Sequence, residues 1–408
     1  MRADLILTNS PELVTVSGKA PKIGKYLDDI GIIFDGAFAV SDGRFIGVGT
    51  TSQILSDFES DNVVDAKGSS VLPGFVDPHT HVVFGGERSA EFAMRCEGKS
   101  YEQIMAAGGG IVSSVKMTRE ATDSELEESA RTRLKRMVAC GTTSVEIKSG
   151  YGLDTETEFR MLKVARKICA ELGITCKTTF LGAHAIPKDA NRADFIKLVK
   201  GEMLSVCKPF ADYIDVFCDQ GVFTNEETKD IVEHANMPTR LHVDELADTG
   251  GAALAASLGA RSADHLIRAS DEGFEALAKS GTVCTFLPGT SFFLNKPYAR
   301  ARRAVELGCT IALATDRNPG SCTVESMQFV IGLACSKLNL TVYQAIAAAT
   351  INAAYSLDLA DEIGSIEVGK RADFIVLDSP SATIIPYELT QNHVSKVYIA
   401  GKEATWVR

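Results

Sequence analysis

Between about residues 71 and 315, short apolar, β-branched runs alternate with longer amphipathic stretches. Eight runs have strand character: 71–79, 142–148, 175–181, 212–217, 239–243, 262–266, 282–287 and 310–315. Helical patterns such as TDSELEESARTRLKRMVAC and TETEFRMLKVARKICAEL lie between them. In the second, Phe159, Leu162, Val164 and Ala165 fall near helical spacing, which predicts an outer face of Glu158, Arg160 and Lys163. Eight strand–helix units predict an α/β fold, a (β/α)₈ TIM-like barrel, usually about 250 residues long. A doubly wound open sheet is the competing layout.

The two ends carry a different pattern. Up to about Ala66, DLILTN, GAFAVSD and RFIGVGT alternate or run apolar, with Asp-Gly and Gly turn signals between them. From about Ile363, GSIEVGKRADFIVLD and SKVYIAGKEATWVR have the same character. The expected division is a small composite β-sandwich domain, from residues 1–66 and 363–408, beside a barrel over residues 67–362.

Polar residues sharpen this picture because they gather at strand ends. Five of the seven histidines fall at or just after strand-like runs. His79 and His81 end VLPGFVDPHTH, His184 ends TTFLGAH, His242 sits in TRLHVDE and His265 in SADHLI, while Asp316 ends TIALATD. These residues come from the first, third, fifth, sixth and eighth runs, and only a closed ring brings both ends of that series together. The barrel is therefore preferred over the open sheet. His79 and His81 are two residues apart and project to the same face. Two imidazoles so placed can bind one divalent ion at about 2.0–2.1 Å. Imidazole and carboxylate donors suit zinc or iron, and the lack of cysteine at these strand ends disfavours a thiolate-rich structural site.

Composition removes several other classes. The 408 residues are 45% hydrophobic and 23% charged, ordinary for a soluble globular protein. A net charge of −11 argues against a general nucleic-acid or membrane surface but leaves room for a locally basic pocket. The start, MRADLILTNSPEL, lacks the apolar core of a signal peptide, and no apolar run is long enough to span a bilayer. Ten cysteines form no CxxC pair and are read as small buried thiols, so the expected compartment is cytoplasmic. The Gly108-Gly109-Gly110 run lacks the Lys-Ser/Thr of a phosphate loop and is read as an active-site loop ahead of a helix. His234 and His393 receive no role.

PGFVDPHTH, HVDE, ADH and the late ATD resemble the amidohydrolase superfamily, barrels with a small β-sandwich made from both termini. More narrowly, DPHTHVVFGGERSAEF, KSGYGL, FLGAHAIP, HVDELAD and ATDRNPGS are similar to the imidazolonepropionase family of histidine degradation, across essentially the whole barrel. The resemblance implies one divalent or iron ion per chain, zinc or iron, held by His79, His81, His242 and Asp316. Many superfamily members bridge two metals with a carboxylated lysine on a central strand. Lys148 closes the second strand instead, and is read as a lysine placed by local hydrogen bonds or an anion.

The implied substrate is a small acidic heterocycle, 4-imidazolone-5-propanoate. Hydrolysis of its cyclic amide C–N bond gives N-formimidoyl-L-glutamate. Asp316, His265 and Glu245 are the expected catalytic set: Asp316 on the water, His265 for proton transfer or oxyanion stabilisation, Glu245 toward the leaving nitrogen, with base and acid exchangeable among the three. Arg88 is expected to grip the propionate, since a guanidinium takes a carboxylate bidentately. Tyr151, His184, Asn318, Gly320 and Ser321 are further expected substrate contacts, with Tyr101 a lesser addition. Family members resemble homodimers. The alternatives are an aminohydrolase acting on an exocyclic amine of a small heterocycle, a two-metal cyclic amidase, and a barrel scaffold without chemistry.

Overall fold

In the computed structural model, which describes residues 1–100, 103–104 and 108–407, eight parallel strands surround one axis. They are β1 (Phe75–Thr80), β2 (Thr142–Lys148), β3 (Thr175–Ala183), β4 (Tyr213–Cys218), β5 (Thr239–Val243), β6 (Ser262–His265), β7 (Val283–Phe286) and β8 (Ile311–Leu313). Each pairs with its sequence neighbour. The ring closes just beyond β8: Thr80 bridges Arg317, and the Asp316 N–H donates to the His79 carbonyl at 3.1 Å. An open sheet would leave these groups apart. The fold is the barrel.

Helices follow the strands for local reasons. Asp123–Ala139 starts on a reciprocal cap: the Thr122 hydroxyl accepts from the Glu125 N–H, and the Glu125 carboxylate accepts from the Thr122 N–H. Such a cap stabilises a helix by about 1 kcal/mol. Thr155–Leu172 starts on the Asp154 carboxylate and stops at Gly173, which is left-handed at φ 71°. Glu158 on this helix corrects the amphipathic pattern, because its side chain is fully buried rather than on the outer face. Its two oxygens accept the backbone N–H groups of Gly150, Gly152 and Leu153 at 2.8 Å each. Three donors compensate the burial of one carboxylate, and periodicity cannot signal that.

The run expected as one strand over 71–79 is two. Val71–Pro73 pairs antiparallel with Phe374–Leu377 in a six-stranded sheet that mixes both ends of the chain, and β1 begins after Gly74. A side chain at Gly74 would overlap Thr143 of β2, so the crossing between sheets is tight. A four-stranded sheet holds Leu5–Ser10, Gly36–Ser41, Arg44–Thr50 and Val63–Asp65. The two sheets share one apolar core, in which Phe374 stacks on Tyr398 at 4.3 Å and Phe38 meets Phe374 edge-on at 4.8 Å.

Charge enters the barrel interior by strand alternation. On β2, Val145 and Ile147 face one way and Glu146 and Lys148 the other. Ladder pairing sets Asp215 beside Arg240 and His242 beside Asp264, so these side chains share the inner face. Glu146, Lys148, Asp215, Arg240 and Asp264 are all fully buried. Among the described residues, no helix is long and apolar enough to cross a membrane.

Candidate metal centre

His79, His81, His242 and Asp316 meet in a cup at the C-terminal ends of the strands. His79 Nδ1 lies 2.7 Å from Asp264 Oδ2, which turns Nε2 into the cup, where it is buried without a hydrogen-bond partner among the described residues. His79 Nε2 and His81 Nε2 each lie 3.6 Å from Asp316 Oδ1. That is too long for a hydrogen bond. It is close to the ligand-to-ligand edge, about 3.4 Å, of a tetrahedral shell with ~2.1 Å bonds. Donor atoms of His79, His81 and Asp316 lie within 4.8 Å of one another, as do those of His79, His242 and His265. His242 Nδ1 is 2.9 Å from Asp215 Oδ2, while the other Asp316 oxygen accepts the Thr290 hydroxyl at 2.5 Å. A histidine backed by a carboxylate, with its second nitrogen turned inward, is an arrangement that favours metal binding.

The layer beneath supports the same conclusion through charge. Lys148 Nζ lies 2.9 Å from Asp215, 3.0 Å from Glu146 and 3.7 Å from Asp264. It is held by local acids, and these acids hold Lys148 above its ordinary value against the pull of burial. Lys148 and Arg240 are two buried cations among Glu146, Asp215, Asp264 and Asp316, an acid-rich surround that would favour a further positive charge in the cup. Burial, with Lys148 nearby, pushes His79 well below its ordinary value. Burial and His184 do the same to His81, which leaves both imidazoles neutral with a lone pair to donate. For His242, burial works downward, but Asp215 raises it overall.

His265 follows Asp264, so alternation alone would turn it away from the axis. Its φ of 75° breaks the alternation, and its ring lies 5.2 Å from His242 and 5.5 Å from His79. Asp316 is left-handed too, at φ 55°. Burial brings His265 down to about 4 and raises the Glu245 carboxyl to about 7, with Asp219 adding to the second shift. The two groups approach at 3.6 Å. Asp219 fixes the Glu245 segment by accepting the N–H groups of Glu245 at 2.7 Å, Leu246 at 2.9 Å and Ala247 at 3.2 Å.

Above the cup is a cavity of about 510 Å³, whose lining includes Arg88, Tyr151, His184, Asn318, Gly320 and Ser321. Tyr151 and His184 are buried, with ring centroids 5.2 Å apart, and His184 stacks on His81 at 5.3 Å. Asn318 shapes its own loop. Its Oδ1 accepts the N–H groups of Gly320 at 2.8 Å and Ser321 at 2.7 Å, so these donors, expected for the substrate, are engaged within the turn. Arg88 is engaged as well, donating from Nε and one terminal nitrogen to Glu91 at 2.8 and 2.5 Å. Tyr101 lies outside the described residues. The sequence reading passed over Asp215, Asp264, Glu91 and Asp219; for Asp215 and Asp264 the signal was an acid inside a strand-like run, as in YIDVF and SADH.

The family model described as the amidohydrolase family matches residues 70–404. Imidazolonepropionase of Symbiobacterium thermophilum is 46% identical over 98% of this chain and 96% of its own. That of Alkaliphilus oremlandii is 43% identical over 98% of both chains. An adenosine deaminase structure from Xanthomonas campestris, with bound zinc, superposes with a TM-score of 0.74 at 18% identity, over 98% of this chain and 93% of that one. At that identity the likeness is one of fold alone. The chain belongs to the amidohydrolase family and, within it, to the imidazolonepropionase family.

Proposed function

We propose that this chain hydrolyses the cyclic amide C–N bond of 4-imidazolone-5-propanoate, giving N-formimidoyl-L-glutamate. Membership of the imidazolonepropionase family supports this assignment. The structural observation that carries it is the cluster of His79, His81 and Asp316, with the His242 ring 4.5 Å from that of His79, beside a cavity lined by Arg88. His79, His81, His242 and Asp316 would hold a divalent ion, which would supply a Lewis acid able to bring a water's pKa to about 7. Asp316, steadied by Thr290, takes the water proton. His265, neutral with its imidazole near 4, donates a hydrogen bond to the carbonyl oxygen as charge develops there. Glu245, raised to about 7 and held by Asp219, delivers a proton to the departing ring nitrogen. The C–N bond breaks as the carbon gains the hydroxyl and the nitrogen the hydrogen. Arg88 faces the propionate, with Tyr151, His184, Asn318, Gly320 and Ser321 around the ring and tail, and Tyr101 nearby in sequence.

One ion per chain is assigned, zinc or iron, since imidazole and carboxylate accommodate both. A homodimer in the cytoplasm completes the proposal. The dimer is supported by the family resemblance, and the compartment by the reading of the cysteines as small buried thiols.

The test is a mass spectrum of fresh imidazolonepropionate after incubation with metal-loaded protein, beside a chelator-treated control. The expected result is a metal-dependent gain of one water, faster than spontaneous ring decay. Absence of that gain with the metal in place would overturn the substrate assignment.

A further inference from the structure

Arg88 sits at the start of the short helix Ser89–Cys96, and Glu91 follows one turn on. The Glu91 carboxylate takes one side of the guanidinium with both oxygens. One of those oxygens, Oε2, also accepts the Gly110 N–H at 2.8 Å. Gly110 is left-handed at φ 81° and immediately precedes the helix Ile111–Glu120. A single carboxylate therefore joins the arginine to the glycine run, at the wall of the cavity that both Arg88 and Glu91 line. On the other side, Arg88 Nη1 packs against Gly320, where any side chain would overlap it. Nη1 makes no hydrogen bond among the described residues.

We propose that Glu91 is the positioning residue of the carboxylate grip: it holds Arg88 so that its Nη1 end faces the ligand, and it ties that grip to Gly110. This inference rests on the assignment of Arg88 to the propionate. An arginine left free would sample many rotamers in the mouth, and each binding event would have to order it again. Fixing one edge in advance removes that cost and decides which edge a ligand carboxylate meets. A second carboxylate approaching the fixed edge meets Glu91 itself, so the grip selects one carboxylate in one orientation.

The experiment is a double-mutant cycle on the metal-loaded enzyme, reading KM and kcat for Glu91→Ala, Arg88→Ala and the pair, with hydrogen exchange at the Gly110 amide. Glu91→Ala should raise KM roughly tenfold while kcat moves much less. Glu91→Gln keeps one acceptor oxygen and should fall between. Gly110 exchange should accelerate in Glu91→Ala and stay near normal in Arg88→Ala. In the pair, KM should be no worse than in Arg88→Ala alone. Equal KM penalties for Glu91→Ala with and without Arg88, or an unchanged KM in Glu91→Ala, would overturn Glu91's role. An unchanged KM in Arg88→Ala would instead overturn the assignment of Arg88.

Discussion

His79 and Arg88 stand on consecutive stretches of chain, yet they are fixed by different means. The partner that orients His79 is Asp264, 185 positions away on β6. The partner that orients Arg88 is Glu91, on the same turn of the same helix. The cup is thus determined by closure of the whole sheet, and its side chains move only if strands move. The Arg88 grip is set more locally, by Glu91 three positions on, with Gly320 of the loop after β8 packed on its far side. A metal centre needs donors placed before the ion arrives, whereas a mouth must admit one molecule and release another.

Removing a donor should break this comparison most strongly on the cup side. His242→Ala is expected to lose the ion and cut turnover by more than about a thousandfold. His265→Ala, whose ring lies beside the donors, should keep metal content near one per chain while turnover falls about a hundredfold or more. Elemental analysis beside turnover separates the two outcomes. Loss of metal in the His265 variant would make that residue a ligand and sink its proposed role in proton transfer or oxyanion stabilisation.

Glu245 lies where the two regions meet and makes the next largest prediction. Its carboxyl is raised from 4.5 to about 7, chiefly by burial, so the folded chain binds this proton more tightly than the unfolded chain. Stability associated with the protonated form is full below about 4.5, falls as pH rises to about 7, and levels off above that. The loss is at most about 3 kcal/mol for a shift of this size. Gln does not titrate. In chelator-treated protein, the stability of Glu245→Gln relative to the native chain should therefore grow across that window. Denaturant midpoints taken between pH 4 and 8 measure it, and a difference that stays flat would place Glu245 at its ordinary value.

The side chains that meet in the cup were legible in the sequence because polar residues at strand ends leave a mark: a histidine or aspartate closing an apolar run. The barrel was legible for a related reason, since eight alternations of period leave few other folds. What escaped was whatever required knowing which side chains meet. Glu158 matches the outward stripe of its helix by period, and only the approach of the Gly150–Leu153 backbone makes its burial favourable. Asp215 and Asp264 read as interruptions of apolar strands until the closed barrel turns them inward, Asp215 against the His242 ring and Asp264 against the His79 ring. Likewise, one strand over 71–79 was a reasonable expectation, because both halves are apolar. The partner that captures Val71–Pro73 comes from the far end of the chain.

The smallest expected effect belongs to Gly320, and it tests the mouth without touching the cup. Gly320 needs no left-handed conformation, so alanine fits its backbone; the difficulty is space, because a Cβ would overlap the Arg88 guanidinium. The overlapped atom is the far end of a flexible side chain, so the fold should yield cheaply, by no more than about 0.5 kcal/mol. Arg88 then has to move, against the two hydrogen bonds that hold it to Glu91. Gly320→Ala should therefore raise KM severalfold, roughly three- to tenfold, with metal content and kcat near those of the native chain. Serine should behave like alanine, since the conflict is with the first side-chain atom and not with polarity. An unchanged KM in both variants would mean that the ligand does not depend on where Arg88 sits. Loss of metal would mean that cup and mouth are mechanically joined through the Asp316–Ser321 loop, contrary to the separation drawn from His79 and Arg88.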